Sequence, residues 1–220
     1  IPPNSKLFIH ALASGVPLVK RSWLLGKISE HLYTVAVAGT HGKTTTTTLI
    51  SHILKYSGKE VLSFMGGLSN NYGTNVLFSN RPEILVVEAD EYDRSFHTLY
   101  PDVAVVTSID ADHLDIYGSF ENVKESFYQF MKQIKEGGRL IFNDKAIIPH
   151  NICKYMTSYN AVNSADLYAA NIKIIDNAYQ FDIRGVVSID NIRLSLPGLH
   201  NVENTVAAIA VTLHIGVDIE

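Results

Sequence analysis

A lysine and a run of threonines follow a short glycine turn in the segment GTHGKTT, residues 39–45. Gly39 and Gly42 let the backbone turn sharply and approach an anion closely, and the N–H groups that open a following helix point at that anion. Lys43 adds a mobile positive charge beside them. The hydroxyl of Thr44 suits a magnesium ion carried by a triphosphate. The segment therefore predicts a nucleotide phosphate site.

The general phosphate-loop pattern is only partly met by this segment. It requires a glycine five residues before its second glycine, and this chain has Val37 at that position. A plain strand-to-helix turn therefore stays open as an alternative to a nucleotide site. Glycine-rich turns are common, but Gly-Lys-Thr at the start of a helix is not, and this favours the nucleotide site.

Three carboxylates follow a second apolar run. Residues 84–87 are continuously apolar, which indicates a strand buried on both faces, and Glu88, Asp90 and Glu91 come directly after it. Carboxylates at the carboxyl end of a parallel strand, next to a phosphate loop, are placed to hold magnesium directly or through water. We choose Glu88, at the end of the strand, as the candidate ligand. A solvated acidic turn is the alternative.

A histidine flanked by aspartates follows a third apolar run. Residues 103–109 predict another buried strand, and His113 lies between Asp112 and Asp115 just beyond it. Isolated histidines are more often structural than functional. The position at the end of a strand, beside two carboxylates, instead favours contact with a metal or a substrate.

The elements that must position these residues alternate along the chain. Apolar strands at residues 35–38, 61–65, 84–87, 103–109 and 140–142 alternate with helical patterns, which predicts a doubly wound, mostly parallel sheet. Residues 66–75 are predicted to be a polar glycine-rich loop, and residues 15–19 a short strand. Three alternating runs between residues 168 and 196 predict a small antiparallel sheet near the C-terminal end. The fold class is therefore α/β, with a P-loop-type sheet flanked by helices.

Bulk properties exclude several classes of protein. The 220 residues are 46% hydrophobic and carry a net charge of −4 without a lysine or arginine run, so nucleic acid is not an expected partner. No apolar run approaches the ~20 residues that cross a bilayer, and no secretory leader opens the chain, so we expect no membrane association. One cysteine, Cys153, excludes an internal disulfide and is compatible with the cytoplasm. Oligomeric state is not indicated.

Four motifs occur in the order expected of one family. They are GTHGKTT from Gly39, EADEYD from Glu88, DADHLDIY from Asp110 and PGLHNVEN from Pro197. With them, the chain resembles the central, ATP-binding domain of the Mur ligases, and the resemblance covers nearly its whole length. Four ordered motifs are far more specific than any one of them.

The resemblance implies an ATP-dependent, amide-forming reaction in peptidoglycan synthesis. ATP would phosphorylate the carboxylate of UDP-N-acetylmuramate, and the amine of L-alanine would attack the acyl phosphate. A carboxylate is a poor electrophile until it carries a good leaving group, and the transferred phosphoryl group needs its charge held by metal and lysine. ATP and Mg²⁺ are therefore the implied cofactors.

The resemblance also implies a role for individual residues. Lys43 would hold the transferred phosphate, Thr44 and Glu88 one magnesium ion, and His113 a second magnesium ion. Asn75 would face the muramoyl group. The implied ATP-binding residues are Gly39, Thr40, His41, Gly42, Lys43, Thr44, Thr45, His200, Asn201 and Asn204. For Asn201, capping of the following helix is the alternative.

One departure from the family pattern indicates a branch. Several relatives have a carbamate-modified lysine fifteen residues after the histidine of the third motif, and this chain has Tyr128 there. That resembles the alanine-adding branch. Three alternatives to an alanine-adding ligase stay open. The first is a ligase that recycles a whole tripeptide onto the same UDP-sugar. The second is a phosphate-loop kinase or nucleotide hydrolase, and the third is a non-catalytic binding module.

The resemblance finally implies a domain organisation. Residues 1–33 are expected to be the tail of a preceding UDP-sugar-binding domain plus a linker, and residues 34–220 the central ATP-binding domain. The chain starts at Ile1 and stops after a helical pattern, so we expect a fragment that lacks the C-terminal domain. Such a fragment is expected to bind nucleotide weakly and not to turn over, because the other domains supply positioning.

Overall fold

The computed structural model describes residues 4–162 and 165–219. Its strands are β1 (Tyr33–Ala38), β2 (Val61–Ser69), β3 (Thr74–Phe78), β4 (Ile84–Glu88), β5 (Val103–Val106), β6 (Arg139–Asn143), β7 (Tyr155–Asn160), β8 (Leu167–Ile175), β9 (Ala178–Gly185) and β10 (Ile189–Leu194). Its helices are α1 (Lys6–Ala13), α2 (Arg21–His31), α3 (Lys43–Tyr56), α4 (Leu114–Tyr117), α5 (Phe120–Met131) and α6 (Leu199–His214), with a 3₁₀ turn at Ser95–Thr98.

All ten strands of the described residues belong to one sheet, in the order β10-β9-β8-β7-β6-β5-β1-β4-β2-β3. The strands from β8 through β2 pair in parallel, whereas β3, β9 and β10 join antiparallel. The predicted α/β fold is confirmed. The antiparallel strands near the C-terminal end continue the main sheet, because β8 pairs with both β7 and β9.

Two hydrophobic cores cover the two faces of the sheet. Successive side chains of a strand point to opposite faces, so Val35 and Val37 pack in the core that contains residues of α3 and α6. Ala36 and Ala38 pack in the other core, together with Phe127 of α5. Because β1 is buried on both faces, its sequence reads as a continuous apolar run rather than an alternating one.

The topology brings the site to one edge of the sheet. β1 lies between β4 and β5, with Val37 beside Glu88 and Ala38 beside Val106. The chain therefore leaves β1, β4 and β5 at neighbouring points, as expected for ligands bound beyond the carboxyl ends of parallel strands.

Two local predictions are wrong, and one strand was missed. Residues 15–19 form no strand, because Pro17 lacks an N–H and Val16, Leu18 and Val19 lie exposed, unpaired with the described strands. Residues 66–75 are mostly a hairpin rather than a loop, since β2 continues to Ser69 and β3 begins at Thr74. Strand β7 was not predicted, because its residues 155–160, YMTSYN, are mostly polar.

No helix in the described part of the chain is both long and apolar enough to cross a lipid bilayer.

Helix α1 buries none of its side chains. Helix α2 buries Leu25, Gly26 and Ser29. Gly26 lies so close to the carbonyl of Thr98 that an added Cβ would lie 2.5 Å from that oxygen.

Candidate functional site

The loop between β1 and α3 depends on two glycines in unusual backbone conformations. Gly39 has φ = 144°, and a Cβ there would overlap the hydroxyl of Thr107. Gly42 has φ = 82° and is the N-cap of α3, where a Cβ would lie 2.6 Å from Oδ1 of Asn204. Left-handed backbone and close approach both require glycine. The loop therefore brings its N–H groups to the start of a 14-residue helix, where the helix dipole favours anions.

Hydrogen bonds fasten this loop to the end of β5. The N–H of Thr40 donates to the carbonyl of Ser108 (3.2 Å), and the N–H of His41 donates to the Ser108 hydroxyl (3.1 Å). The Thr40 hydroxyl accepts from the N–H of Asp110 (2.9 Å), and the Thr107 hydroxyl donates to the carbonyl of His41 (2.5 Å). These contacts hold the loop although Val37, at the position of the usual first glycine, is a buried strand residue.

Lys43 reaches back across the loop. Its Nζ donates to the carbonyl of Gly39 (2.7 Å) and to Oε1 of Glu91 (2.8 Å). The side chains of Lys43 and Glu91 are only 14% and 4% exposed. The ammonium group thus lies inside the loop, partly removed from water and paired with a carboxylate.

Glu91 is a residue of the site that our sequence reasoning left out. Burial raises the pKa of its carboxyl, against the lowering effect of the hydrogen bond and charge of Lys43. Its Oε2 is buried without a hydrogen-bond partner among the described residues. Tyr117 fixes the backbone, since its hydroxyl donates to the Glu91 carbonyl (2.5 Å). The sequence signal was present, because Glu91 is one of the three carboxylates at the end of β4 and directly after it.

Thr44 and Glu88, the predicted ligands of one magnesium ion, lie within hydrogen-bond distance of each other. The Thr44 hydroxyl donates to Oε2 of Glu88 (2.8 Å), and the N–H of Gly66 donates to the same oxygen (2.9 Å). A Cβ at Gly66 would overlap the Glu88 carboxylate. The first turn of α3, the end of β4 and the middle of β2 therefore meet at one carboxylate.

His113 faces the same cluster. It has φ = 54° and begins the short helix α4. Its Nε2 lies 3.8 Å from Oε1 of Glu91 and 3.9 Å from Oδ2 of Asp112, and its ring packs edge-on against Tyr92 with centroids 5.1 Å apart. Lys43 and His113 thus both lie beside Glu91. Glu88 instead accepts a hydrogen bond from Thr44, the residue that follows Lys43.

The start of α6 approaches the loop through a buried amide. Asn204 is buried, its Oδ1 accepts from the Thr46 hydroxyl (3.2 Å), and its Nδ2 donates to Oδ1 of Asn201 (3.2 Å). Asn201 does not cap α6, since the N-cap is Gly198 and the Asn201 amide donates to the carbonyl of Pro197 (2.6 Å). His200 is exposed.

Asn75 belongs to the strand beside the one that carries Gly66. It is exposed in β3, the edge strand that pairs with β2. No side-chain hydrogen bond among residues 4–162 and 165–219 joins it to the loop.

Two cavities adjoin the loop and share Thr44 and Thr45. The smaller, about 280 Å³, is lined by Thr40, His41, Gly42, Lys43, Thr44, Thr45 and Glu88. The larger, about 380 Å³, lies between α3, the tip of the β2–β3 hairpin and the segment after β10, with leucine, threonine and asparagine side chains in its lining. Thr45 makes none of the hydrogen bonds described above, but it lines both cavities.

The oxygen atoms at this end of the sheet fit a magnesium ion that is also held by phosphate oxygens and waters. Thr44 and Glu88 offer hard oxygen donors, and the partnerless Oε2 of Glu91 is a buried acceptor. The described residues include no group of three His, Cys, Asp or Glu side chains that could hold a metal ion. Magnesium typically takes one or two carboxylates plus phosphate oxygens and waters, rather than a complete protein cage.

The parallel sheet, the glycine turn at the start of α3 and the lysine that follows define a phosphate-loop α/β domain. The chain belongs to the Mur ligase family, because the model of the Mur ligase middle domain matches residues 37–212. Family membership argues against the sequence-based alternative of a phosphate-loop kinase or nucleotide hydrolase.

Similar proteins carry ligase names. UDP-N-acetylmuramate–L-alanine ligase of Christiangramia forsetii is 39% identical over 220 residues, covering 100% of this chain and 47% of that protein. The structure of UDP-N-acetylmuramate-alanine ligase MurC from Thermotoga maritima superposes with a TM-score of 0.80 at 22% identity, covering 99% of this chain and 50% of that one. UDP-N-acetylmuramate:L-alanyl-gamma-D-glutamyl-meso-diaminopimelate ligase from Neisseria meningitidis gives 0.81 at 24% identity, covering 96% and 71%. The chain spans about half the length of the curated relative it matches.

Proposed function

We propose that this chain is the ATP-binding domain of a ligase that joins L-alanine to UDP-N-acetylmuramate in peptidoglycan biosynthesis. The observation that carries the proposal is the meeting of Lys43, Thr44 and Glu88 around one cavity at the start of α3. Sequence similarity to a named alanine ligase over the whole chain supports the choice of substrates.

The loop would bind the phosphates of ATP. Backbone N–H groups at the start of α3 and the ammonium of Lys43 present positive potential to one cavity. In an ATP-dependent ligase the same groups hold charge that develops on the transferred phosphoryl group. Gly39, Thr40, His41, Gly42, Lys43, Thr44 and Thr45 are the residues proposed for this role.

Thr44 and Glu88 would hold one magnesium ion, and His113 a second. Magnesium, when bound with ATP, neutralises phosphate charge. What the chain itself contributes is placement: Gly66 orients the Glu88 carboxylate, and Tyr92 packs against the His113 ring. Contacts of this kind fix the orientation of a ligand-holding side chain before the ligand binds.

His200, Asn201 and Asn204 would contact adenosine, and Asn75 the muramoyl group. Exposure of His200 leaves its ring accessible to a ligand. The Asn204 amide also bonds Thr46 and Asn201, which holds α6 against the loop. Exposure of Asn75 on the edge strand is compatible with a substrate contact.

We also propose the domain organisation that the sequence suggested, with residues 1–33 leading from a UDP-sugar-binding domain into the central domain. Helix α1 leaves Leu7, Ile9 and Leu12 exposed, as a segment that packs against another domain would. Positioning by the other domains supplies much of the catalysis. An ATP-dependent reaction on a nucleotide-activated sugar would take place in the cytoplasm.

The experiment has two parts. Calorimetric titration of the 220-residue chain with ADP and magnesium should show weak binding that Lys43→Ala abolishes. In the longer protein that carries this chain, phosphate release should require UDP-N-acetylmuramate and L-alanine, while the isolated chain should show none. Release that depends on the tripeptide instead of L-alanine would make the protein the recycling ligase, and absence of ADP binding to both proteins would refute the nucleotide site.

A further inference from the structure

Glu91 offsets part of the positive charge that Lys43 presents to a ligand. Its ammonium is 2.8 Å from a carboxylate oxygen of Glu91, and both side chains are largely buried. Opposite charges largely offset one another's field at distances several times their separation, so Glu91 weakens the attraction of Lys43 for an approaching polyanion, and the N–H groups of the loop carry more of it.

The other charges around the loop are mostly negative. Glu88 lines the cavity, and Asp90, Asp110 and Asp112 lie on the segments that follow β4 and β5. Arg21 lines a neighbouring cavity with Glu88 and Asp90, and His113 is charged only when protonated. A free nucleotide, which carries several negative charges, therefore meets repulsion at this end of the sheet.

The unpartnered oxygen of Glu91 favours a cation beside it. Oε2 is buried with no hydrogen-bond partner among the described residues, although Oε1 is bonded to Lys43. Leaving a buried acceptor unsatisfied is unfavourable. A divalent cation, or a water molecule bound to it, is a partner of the required charge and polarity.

We propose that Glu91 is a specificity-determining residue that makes this site select the magnesium complex of a nucleotide over the free nucleotide. The inference rests on the proposed nucleotide site. It gives a function to Glu91, which has no role in the function proposed above. Glu91 offsets the charge of Lys43, which weakens the binding of free nucleotide. The same carboxylate attracts the cation of the magnesium complex, which strengthens the binding of that complex.

The test compares two affinities in each variant. ADP is titrated calorimetrically into the chain in excess magnesium, and again in excess chelator, and the ratio of the two dissociation constants measures selectivity. The wild-type ratio should favour magnesium-ADP. In Glu91→Gln, which keeps size and hydrogen bonding but removes the charge, the ratio should fall at least about fivefold, because free ADP binds more tightly.

Two control variants separate this effect from general causes. Glu121→Gln makes the same change of charge at an exposed position on α5, where the carboxylate pairs with Lys124, and should leave the ratio unchanged. Glu91→Asp keeps the charge and should keep the ratio within about threefold of wild type. If Glu91→Gln does not fold, Glu91→Met provides the same uncharged comparison.

The outcomes distinguish the inference from the proposed function. A wild-type ratio retained in Glu91→Gln, or free ADP that binds this variant more weakly, would overturn the role of Glu91 while leaving the nucleotide site intact. Wild-type protein that binds neither form of ADP would instead remove the nucleotide site, and with it this inference. Equal loss in the Glu121→Gln control would show an effect of net charge alone, which also overturns it.

Discussion

Nζ of Lys43 lies 2.8 Å from Oε1 of Glu91, and the pair joins the start of α3 to the segment after β4. Both side chains are mostly removed from water, so each charge depends on the other for compensation. The pair therefore links the stability of the fold to the residue proposed to hold phosphate.

Removing one member of this pair should cost more than removing both charges. Lys43→Met leaves the Glu91 carboxylate without its cation, and we expect the free energy of unfolding to fall by about 3 kcal/mol. The double variant Lys43→Met/Glu91→Gln should recover at least half of that loss. Urea denaturation of the two single variants and the double variant measures the coupling. Additive effects would mean that the two charges do not interact.

Gly39→Ala should destroy the loop. Its Cβ would overlap the Thr107 hydroxyl at a φ of 144°, so we expect a loss of about 2–5 kcal/mol in unfolding free energy and loss of ADP binding. Gly58→Ala is the matched control, since φ is 78° there but nothing lies within 4 Å of the added Cβ. That variant should cost about 1–2 kcal/mol and bind ADP normally. Equal ADP binding by both variants would contradict the assignment of the loop.

Alanine variants of Asn204 and His200 should differ in effect: the first should lower the stability of the fold, and the second should weaken nucleotide binding. Asn204→Ala leaves the buried Thr46 hydroxyl without its acceptor and the Asn201 side-chain oxygen without its donor, so thermal unfolding should show a loss of about 1–3 kcal/mol. His200→Ala, at an exposed position, should change stability by less than about 0.5 kcal/mol and weaken ADP binding. A His200→Ala protein that binds ADP as wild type does would remove His200 from the adenosine site.

The raised pKa of Glu91 predicts a pH dependence of stability. Burial raises the pKa of this carboxyl above its ordinary value of 4.5, so the folded state binds the proton more tightly than the unfolded state does. The stability that comes from this tighter proton binding is fully present below the pKa of Glu91 in the unfolded state. It is lost as pH rises through the pKa of Glu91 in the folded state. Relative to Glu91→Gln, wild-type protein should lose stability as pH rises from about 4, by about 1.4 kcal/mol per unit of pKa shift. Urea denaturation across that range measures the difference, and a relative gain would give the pKa shift the opposite sign.

Sequence patterns located the strand, the glycine turn and the helix that carry Lys43, because apolar runs and glycines report local backbone requirements. The same reasoning placed Thr44 beside Glu88, since carboxyl ends of parallel strands share an edge. It failed for residues 66–75, where β2 continues to Ser69 and pairs there with Thr74 of β3, and for β7, whose polar residues pair with β6. Pairing between distant segments overrides composition at such positions.

The amino-acid sequence by itself determined the fold class, the glycine turn before α3 and the family, because these follow from local periodicity and from ordered motifs. Only the tertiary structure decided that Glu91, rather than Glu88, is the partner of Lys43. Three carboxylates within four residues look alike in sequence. The direction in which the chain turns after β4, and the Tyr117 hydroxyl that holds that turn, determine which carboxylate is buried against the ammonium.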